Sequence, residues 1–445
     1  MSDNDKKVVY LLTITNLKED MKILKKLVAV FLCGIVLPAV AQKYVGGDIS
    51  LLPSYEQNGS KYRDINGASI PDVIAFSRNN GLNAMRVRLF VDPSKAPADE
   101  IGEGVRQDLD YVTALGKRIK AAGLKFLLDF HYSDTWADPG QQYTPDAWKS
   151  LTDEQLYEQI YSYTKSCLQT LKAAGAEPDF IQTGNEISYG MCWGVSGGTL
   201  KKCYQNSPAS YWTRFTTLLK QAGKACREEC PNAKIVIHTE RVPNPSFQTF
   251  FYNKMKTDGV DYDIIGTSFY SYYHGNLNSL ETSLNTLETN FPDKEIWLVE
   301  VGYFYNWQPS IKSPGVDLSA TYPISEAGQA AYTEALINKL NQHEKVTGLF
   351  WWMMEANEYQ HTGSSQTTTD WYNAALWNDQ TGKVTPAFYK LKAFAPTTGI
   401  QTVEVPVTKT PGVFDMQGRK VADAVDARSL PSGIYISNGK KVVVR

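Results

Sequence analysis

The sequence predicts an α/β fold: a (β/α)8 barrel of the TIM type followed by a small C-terminal β appendage. Three observations carry this. From residue 44 short apolar runs alternate with amphipathic helical stretches, and there are eight such strand–helix units. The alternation stops near Pro396, beyond which β-like runs broken by Pro and Gly remain. Strands alternating with helices imply a parallel sheet, and eight units suggest closure into a barrel. The rival is an open doubly wound sheet, which wants a Gly-rich fingerprint after its first strand. "GGDISLLPSYEQNG" is not one.

The elements follow in order. Residues 1–41 are an N-terminal extension and signal peptide. Within them 21–41, "MKILKKLVAVFLCGIVLPAVA", have a basic start, an apolar run and small residues before Gln42. The run is short for a transmembrane helix, and Phe31-Leu32 ahead of Cys33 are too large for a lipidation signal. Cleavage is expected after Ala41, leaving no membrane-spanning segment. Location is then secreted, periplasmic or cell surface, and the chain is expected to be a monomer. The polar residues 1–20 precede a second candidate start, Met21.

The barrel occupies 42–396. Its expected strands are 46–50, 84–90, 125–131, 180–186, 234–239, 264–270, 296–303 and 348–354. Helical stretches such as 105–123 and 155–175 end in Ala-Ala-Gly, a C-cap signal. Residues 397–445 form a β-rich module joined through "APTTGIQT". It resembles the C-terminal sorting domains of some exported bacterial proteins; a simple β module is the other reading.

Composition narrows the function. Net charge is −2, without the basic footprint of a nucleic-acid binder, so no nucleic acid is expected. Ten Trp and 26 Tyr supply flat amphipathic faces suited to a binding cleft as well as a core. Past the signal there are five Cys, an odd number that leaves at least one free thiol. Cys192 and Cys203 flank a Gly-rich loop and could close it as a disulfide; Cys226 and Cys230 lie four apart in a helical pattern.

Barrel chemistry sits where strands end, and here those ends are polar or aromatic. Strand by strand they offer Asp48; Arg86 and Arg88, two apart and so on one face; Asp129 and His131, then "YSDTWADPG" with Asp134, Trp136 and Asp138; Asn185 and Glu186; His238 and Glu240; Tyr270; Glu300; and Trp351, Trp352 and Glu355. Trp136, Trp193, Trp351 and Trp352 are candidates to stack on sugar rings, with core packing the competing role for Trp351. No strand end offers a Schiff-base Lys, the five His are scattered, and no Gly-rich phosphate loop follows strands 7 or 8.

Two carboxylates stand out, Glu186 and Glu300. A buried Glu300 needs a cationic partner, Arg86 or Arg88, which would keep it ionised. One anionic and one protonatable carboxylate roughly 5–5.5 Å apart satisfy retaining glycoside hydrolysis. In "TGNEIS" the Asn-Glu pair also reads as a helix cap.

The runs "GLNAMRVRLFVDP", "KFLLDFHYSDTWADPGQQ", "IQTGNEI", "DIIGTSFYSYYHG", "EIWLVEVGY" and "GLFWW" resemble the endo-β-1,4-galactanases of glycoside hydrolase family 53, over about 44–395. The resemblance implies a polysaccharide substrate, β-1,4-galactan of type I arabinogalactan in pectin. It also implies Glu186 as acid/base, Glu300 as nucleophile and Asn185 on the sugar 2-hydroxyl. The substrate-binding set is then Asp48, Arg86, Arg88, His131, Asp134, Trp136, Asp138, Asn185, His238, Tyr270 and Trp352. The alternatives are another retaining barrel glycosidase (a mannanase or glucanase) or an inactive glycan-binding barrel. Glu240 stands where the family pattern has Asp. Bacterial relatives often hold calcium in the loops after strands 7 and 8. No clear ligand cluster appears in 303–319, although "TGSSQTTTDW" could supply oxygens, and neither metal nor cofactor is expected.

Overall fold

A computed structural model describes residues 42–395 and, in the tail, 413–414, 420–422, 430, 433–437 and 440–444. The signal-peptide reading of 1–41 lies outside the described residues. Among those described, no helix is long and apolar enough to cross a membrane.

Eight parallel strands close a barrel in sequence order: β1 (Tyr44–Asp48), β2 (Ala84–Leu89), β3 (Lys125–Phe130), β4 (Phe180–Thr183), β5 (Lys234–Thr239), β6 (Ile264–Tyr270), β7 (Glu295–Gly302) and β8 (Val346–Trp351). The outer helices are α1 (Val73–Asn79), α2 (Leu109–Ala121), α3 (Asp153–Ala173), α4 (Ala209–Glu229), α5 (Pro245–Thr257), α6 (Leu277–Asn290), α7 (Glu326–Leu340) and the short α8 (Pro386–Lys390). Local chemistry sets their ends. Thr152 and Gln155 make a reciprocal capping box on α3, and Asp72, Asp108, Asn244, Asn276 and Ser325 cap five others. The expected C-terminal stops are present: Gly123 and Gly175, both at φ 77°, follow α2 and α3.

Side chains alternate along each strand between the helix layer and the barrel interior. The interior is stacked. Its N-terminal layer is apolar: Tyr44, Ala84, Leu127, Phe180, Val236, Ile264, Trp297, Val299 and Phe350 form one buried cluster. Trp297 fills it because β8 offers Gly348, where a Cβ would stand 2.3 Å from the indole. One step toward the strand C-termini the inward positions turn polar: Asp48, Arg86, Asp129, Gln182, His238 and Ser268, all fully buried.

One irregularity aims the site. Along β6 and β7, Thr267 pairs with Leu298 but Ser268 pairs with Glu300, so Val299 is an extra residue. Such a bulge bends the strand and re-aims a side chain. It lets Val299 fill the apolar layer while the next residue, Glu300, also turns inward.

The described residues fall into two compact units, divided after Ala395. In the second, β9 (Val413–Phe414), β10 (Lys420–Ala422), β11 (Gly433–Ser437) and β12 (Lys440–Val444) form an antiparallel sheet ordered β10-β9-β11-β12, with Val413 and Tyr435 buried together.

Candidate active site

At the C-terminal end of the barrel lies a cleft of about 430 Å³. Its lining includes Trp136, Asp138, Asn185, Glu186, Glu240, Tyr270, Tyr273, Glu300, Trp352, Met353 and Trp371. β4 stops at Thr183, earlier than expected, because Gly184 turns the chain at φ 108°. Glu186 then sits at φ 47°, in the left-handed region that costs a non-glycine residue about 1–3 kcal/mol. Met353 and Trp371 share that conformation, at φ 44° and 61°. Gln142 fixes the turn, its amide donating to the Asn185 carbonyl at 2.7 Å.

Both carboxylates reach one hydroxyl. Ser268 Oγ donates to Glu186 Oε1 at 2.5 Å and lies 3.4 Å from Glu300 Oε2. The two oxygens are therefore within about 6 Å of each other, short of the roughly 6.5–9.5 Å that inverting glycosidases use. Tyr270 donates its hydroxyl to Glu300 Oε2 at 2.9 Å, and Arg86 Nη2 stands 3.0 Å from Glu300 Oε1. The Glu186 backbone N–H points at His238 Nδ1 across 3.3 Å, and His238 Nε2 lies 2.8 Å from Ser268 Oγ. With Nδ1 as acceptor, the imidazole proton sits on Nε2. A relay then runs from His238 through Ser268 to Glu186.

Beneath the cleft is an ionic floor. Arg86 donates to Asp48 at 3.1 Å, Asp129 at 2.7 Å and the Asn185 side-chain oxygen at 2.9 Å. Arg88 donates to Asp48 at 2.7 Å and lies 4.8 Å from the ring centres of both Trp136 and Trp352. Charges this deeply buried persist only because they are paired.

Burial dominates the titration. It lifts Glu186 well above the carboxylate range; the neighbouring charges of Glu300 and Glu240 add to this, and the Ser268 bond opposes it. Glu300 rises to about 7, again through burial, with Arg86 pulling it down. The expected Arg86 pairing is therefore present, but it does not hold Glu300 in the ordinary carboxylate range: desolvation outweighs it. The order within the pair still follows, since Glu300 has the guanidinium and loses its proton first. Burial, followed by the charge of Arg86, keeps His238 well below its usual value and hence neutral.

The expected residues divide by depth. Trp136, Asp138, Asn185, Glu186, Tyr270, Glu300 and Trp352 line the cleft. Asp48, Arg86, Arg88, His131, Asp134 and His238, expected at the substrate, are buried off its surface. Asp134 accepts backbone N–H groups from Asp92 and Asp146 and ties two loops together. Trp193 and Trp351 are corrections. Both are fully buried, donating to the carbonyls of Tyr189 and Ala374, and neither can stack on a sugar. Glu355 is likewise buried against the Leu51 N–H and lifted to about 8 by burial and Asp48. Cys192 and Cys203 are not bridged: all five described cysteines are buried free thiols.

Sequence reasoning missed Ser268 and Gln182, though each lies at an even spacing from an identified position on its strand. It also missed Tyr273, Met353 and Trp371, which loop conformation brings in. Among the described residues, no group of three or more His, Cys, Asp or Glu is arranged to hold a metal ion. Asp317 and Asp370 accept local N–H groups from Ser319 and Trp371.

Comparison with known proteins bears on this geometry. The model of glycosyl hydrolase family 53 matches residues 44–391. A probable arabinogalactan endo-β-1,4-galactanase A of Neosartorya fischeri is 32% identical over 328 residues, covering 71% of this chain and 85% of that protein. The family 53 catalytic domain of Ignisphaera aggregans superposes with TM-score 0.69 at 31% identity, over 80% of this chain and 98% of its own. A fungal β-1,4-galactanase structure gives TM-score 0.64 at 29% identity, over 79% and 99%.

Proposed function

The chain belongs to glycosyl hydrolase family 53 and is a glycoside hydrolase, and from that premise we propose that it makes internal cuts in β-1,4-galactan with retention of anomeric configuration. The observation that supports the retaining mechanism is the Ser268 hydroxyl shared by Glu186 and Glu300, which brings one oxygen of each carboxylate within about 6 Å of the other. The substrate reading rests on the galactanase relatives.

In this mechanism Glu300, ionised first of the pair, attacks the anomeric carbon. The bond to the leaving oxygen breaks as Glu186 protonates that oxygen. The resulting ester is then hydrolysed by a water that Glu186, now a carboxylate, deprotonates. Asn185 spends its side-chain oxygen on Arg86 and one amide hydrogen on the Ala137 carbonyl, at 2.8 Å. Its second amide hydrogen is left to bind the sugar 2-hydroxyl. Trp136 and Trp352 present ring faces to the sugar.

A digest of linear galactan, with product sizing beside mannan and cellulose controls, tests the reading. A ladder of short galacto-oligosaccharides from galactan alone is expected; no cleavage of galactan would overturn it. We also read the chain as exported, on the strength of residues 21–41. Native protein beginning at Gln42 on N-terminal sequencing is the expected result.

A further inference from the structure

The charged side chains lining the cleft are Glu103, Asp138, Glu186, Glu240, Glu300 and Asp370; no Lys or Arg is among them. The reaction uses Glu186 and Glu300, and Glu240 is paired with Arg241 at 2.7 Å. Three carboxylates remain, and three loops bring them together. The Thr369 N–H donates to the Gly102 carbonyl at 3.2 Å and Thr368 Oγ1 to the Glu103 carbonyl at 3.0 Å, joining the loop after β2 to the loop after β8. Gln141 Nε2 donates to Glu100 Oε1 at 3.3 Å, joining the loop after β3 to the same segment.

This rim carries uncompensated charge. Neither Glu103 nor Asp370 has an ion-pair partner among the described residues. Arg106, in the same segment as Glu103, donates instead to the carbonyls of Thr367 at 2.7 Å and Ile101 at 3.5 Å. Arg86 and Arg88 are committed below, under Trp136 and Trp352. After burial, the charges of Asp370, Glu100, Asp99 and Asp138 raise the Glu103 carboxyl, so these groups feel one another. Low-dielectric walls of one sign focus their field into a cleft. Among the described residues no group of three or more His, Cys, Asp or Glu is placed to hold a metal that would offset this charge.

Resting on the galactan reading above, we propose that Glu103, Asp138 and Asp370 form an electrostatic filter that admits neutral galactan and turns away chains bearing uronic-acid carboxylates. The enzyme would then strip neutral chains and stop short of acidic stretches.

The test is binding of a neutral β-1,4-galacto-oligosaccharide and of the same compound oxidised at its primary alcohols to carboxylates, followed by tryptophan fluorescence of the full chain. At ~10 mM salt the neutral ligand should bind at least about tenfold more tightly; at ~1 M, where the screening length is about 3 Å, the ratio should fall to about twofold. The double variant Glu103→Gln/Asp370→Asn should lose most of the low-salt discrimination. Asp138 is left alone because it also caps its loop, accepting the Gly140 N–H at 2.6 Å. A ratio indifferent to salt, or one unchanged in a folded double variant, would mean that shape excludes the acid, and would overturn the filter. So would failure of both ligands to bind, or a saturable rise in thermal stability with Ca²⁺ that marks the rim as a cation site. Cleavage of the neutral ligand is scored separately: discrimination in binding without cleavage sinks the galactanase reading and leaves the filter standing.

Discussion

At the N-terminal end of the barrel the inward side chains are Tyr44, Ala84, Leu127, Phe180, Val236, Ile264, Trp297 and Phe350. At the other end of the same strands they are Asp48, Arg86 and Arg88, Asp129, Gln182, His238, Ser268, Glu300 and Trp352. The lower layer is satisfied: its one indole donor, Trp297 Nε1, reaches Thr347 Oγ1 at 2.8 Å. The upper layer leaves Arg86 Nε, Arg88 Nε and Nη2, Gln182 Oε1 and Glu300 Oε1 buried without a hydrogen bond. Backbone strain follows the same division. The described non-glycine residues at positive φ are Tyr132, Glu186, Cys192, Met353, Gln360 and Trp371, all in loops that follow strand C-termini. One end holds the strands together; the other spends part of that stability on poised charges and strained loops.

The sharpest way to break this comparison is to remove a carboxylate from the upper end. Glu300→Ala should lower galactan hydrolysis by about four orders of magnitude or more, because the covalent step is lost, while the chain stays folded. Azide should partly restore cleavage of an activated aryl galactoside, with an inverted product. Glu186→Ala should still form the glycosyl-enzyme from that substrate and give a retained azide product. Retained products from both variants would show that Glu300 is not the nucleophile.

The opposite end should fail in the opposite way. Trp297 meets Phe180, Tyr44 and Phe350 with ring centres 4.5, 5.4 and 5.5 Å away. Trp297→Ala leaves a cavity that Gly348 cannot fill and should cost about 3–5 kcal/mol in denaturant unfolding. Because the cleft lies one layer above, KM for galactan should not move. A changed KM in a variant that remains folded would show that the layers are coupled.

A third prediction measures what the upper end costs. The Glu300 carboxyl holds its proton to about 7 in the fold, against a reference value of 4.5. The folded chain therefore binds this proton more tightly than the unfolded one. The stability this contributes is full below the unfolded value and is lost as pH rises through about 7. Glu300→Gln removes that dependence. Urea midpoints should fall between pH 5 and 8 more steeply for the parent than for the variant; parallel curves would contradict the burial argument.

The barrel was legible because its signals are repetitive: apolar strands recur eight times, six of the eight outer helices carry a side-chain N-cap, and Gly stops follow α2 and α3. Polar strand ends pointed to the upper layer for the same reason, since alternation puts Arg86 and Arg88 on one face whatever their depth. Depth itself was not legible. Arg88 and Trp136 both read as polar-mouth residues, yet one lies beneath the other. Trp193 and Trp136 sit in similar polar loops, and only tertiary packing buries the first. The bulge at Val299 was hidden because "WLVEV" fits plain alternation, which would have placed Glu300 among the outward-facing side chains. Trp371 depends on a left-handed turn that a lone Trp in "TTTDWYNA" does not announce.

The smallest expected effect probes the boundary between the layers. Ser268 contributes one hydroxyl, but it accepts from His238 Nε2 at 2.8 Å, donates to Glu186 at 2.5 Å and reaches Glu300 at 3.4 Å. Ser268→Ala removes a hydrogen bond to an ionisable group, worth about 1.5–3 kcal/mol, so kcat/KM should drop roughly 10- to 100-fold. Two roles are separable. If Ser268 only fills space, the pH profile keeps its shape and the loss follows the folded fraction. If it positions Glu186, the profile moves: the Ser268 bond lowers the Glu186 carboxyl against burial and the charges of Glu300 and Glu240. Removing it should push the alkaline limb of kcat/KM to higher pH, since Glu186 then keeps its proton longer. Ser268→Thr retains the hydroxyl and should restore the limb where its methyl group fits. An unmoved limb in a folded, weakened Ser268→Ala would assign the shared hydroxyl to the lower layer, as packing beneath the carboxylates.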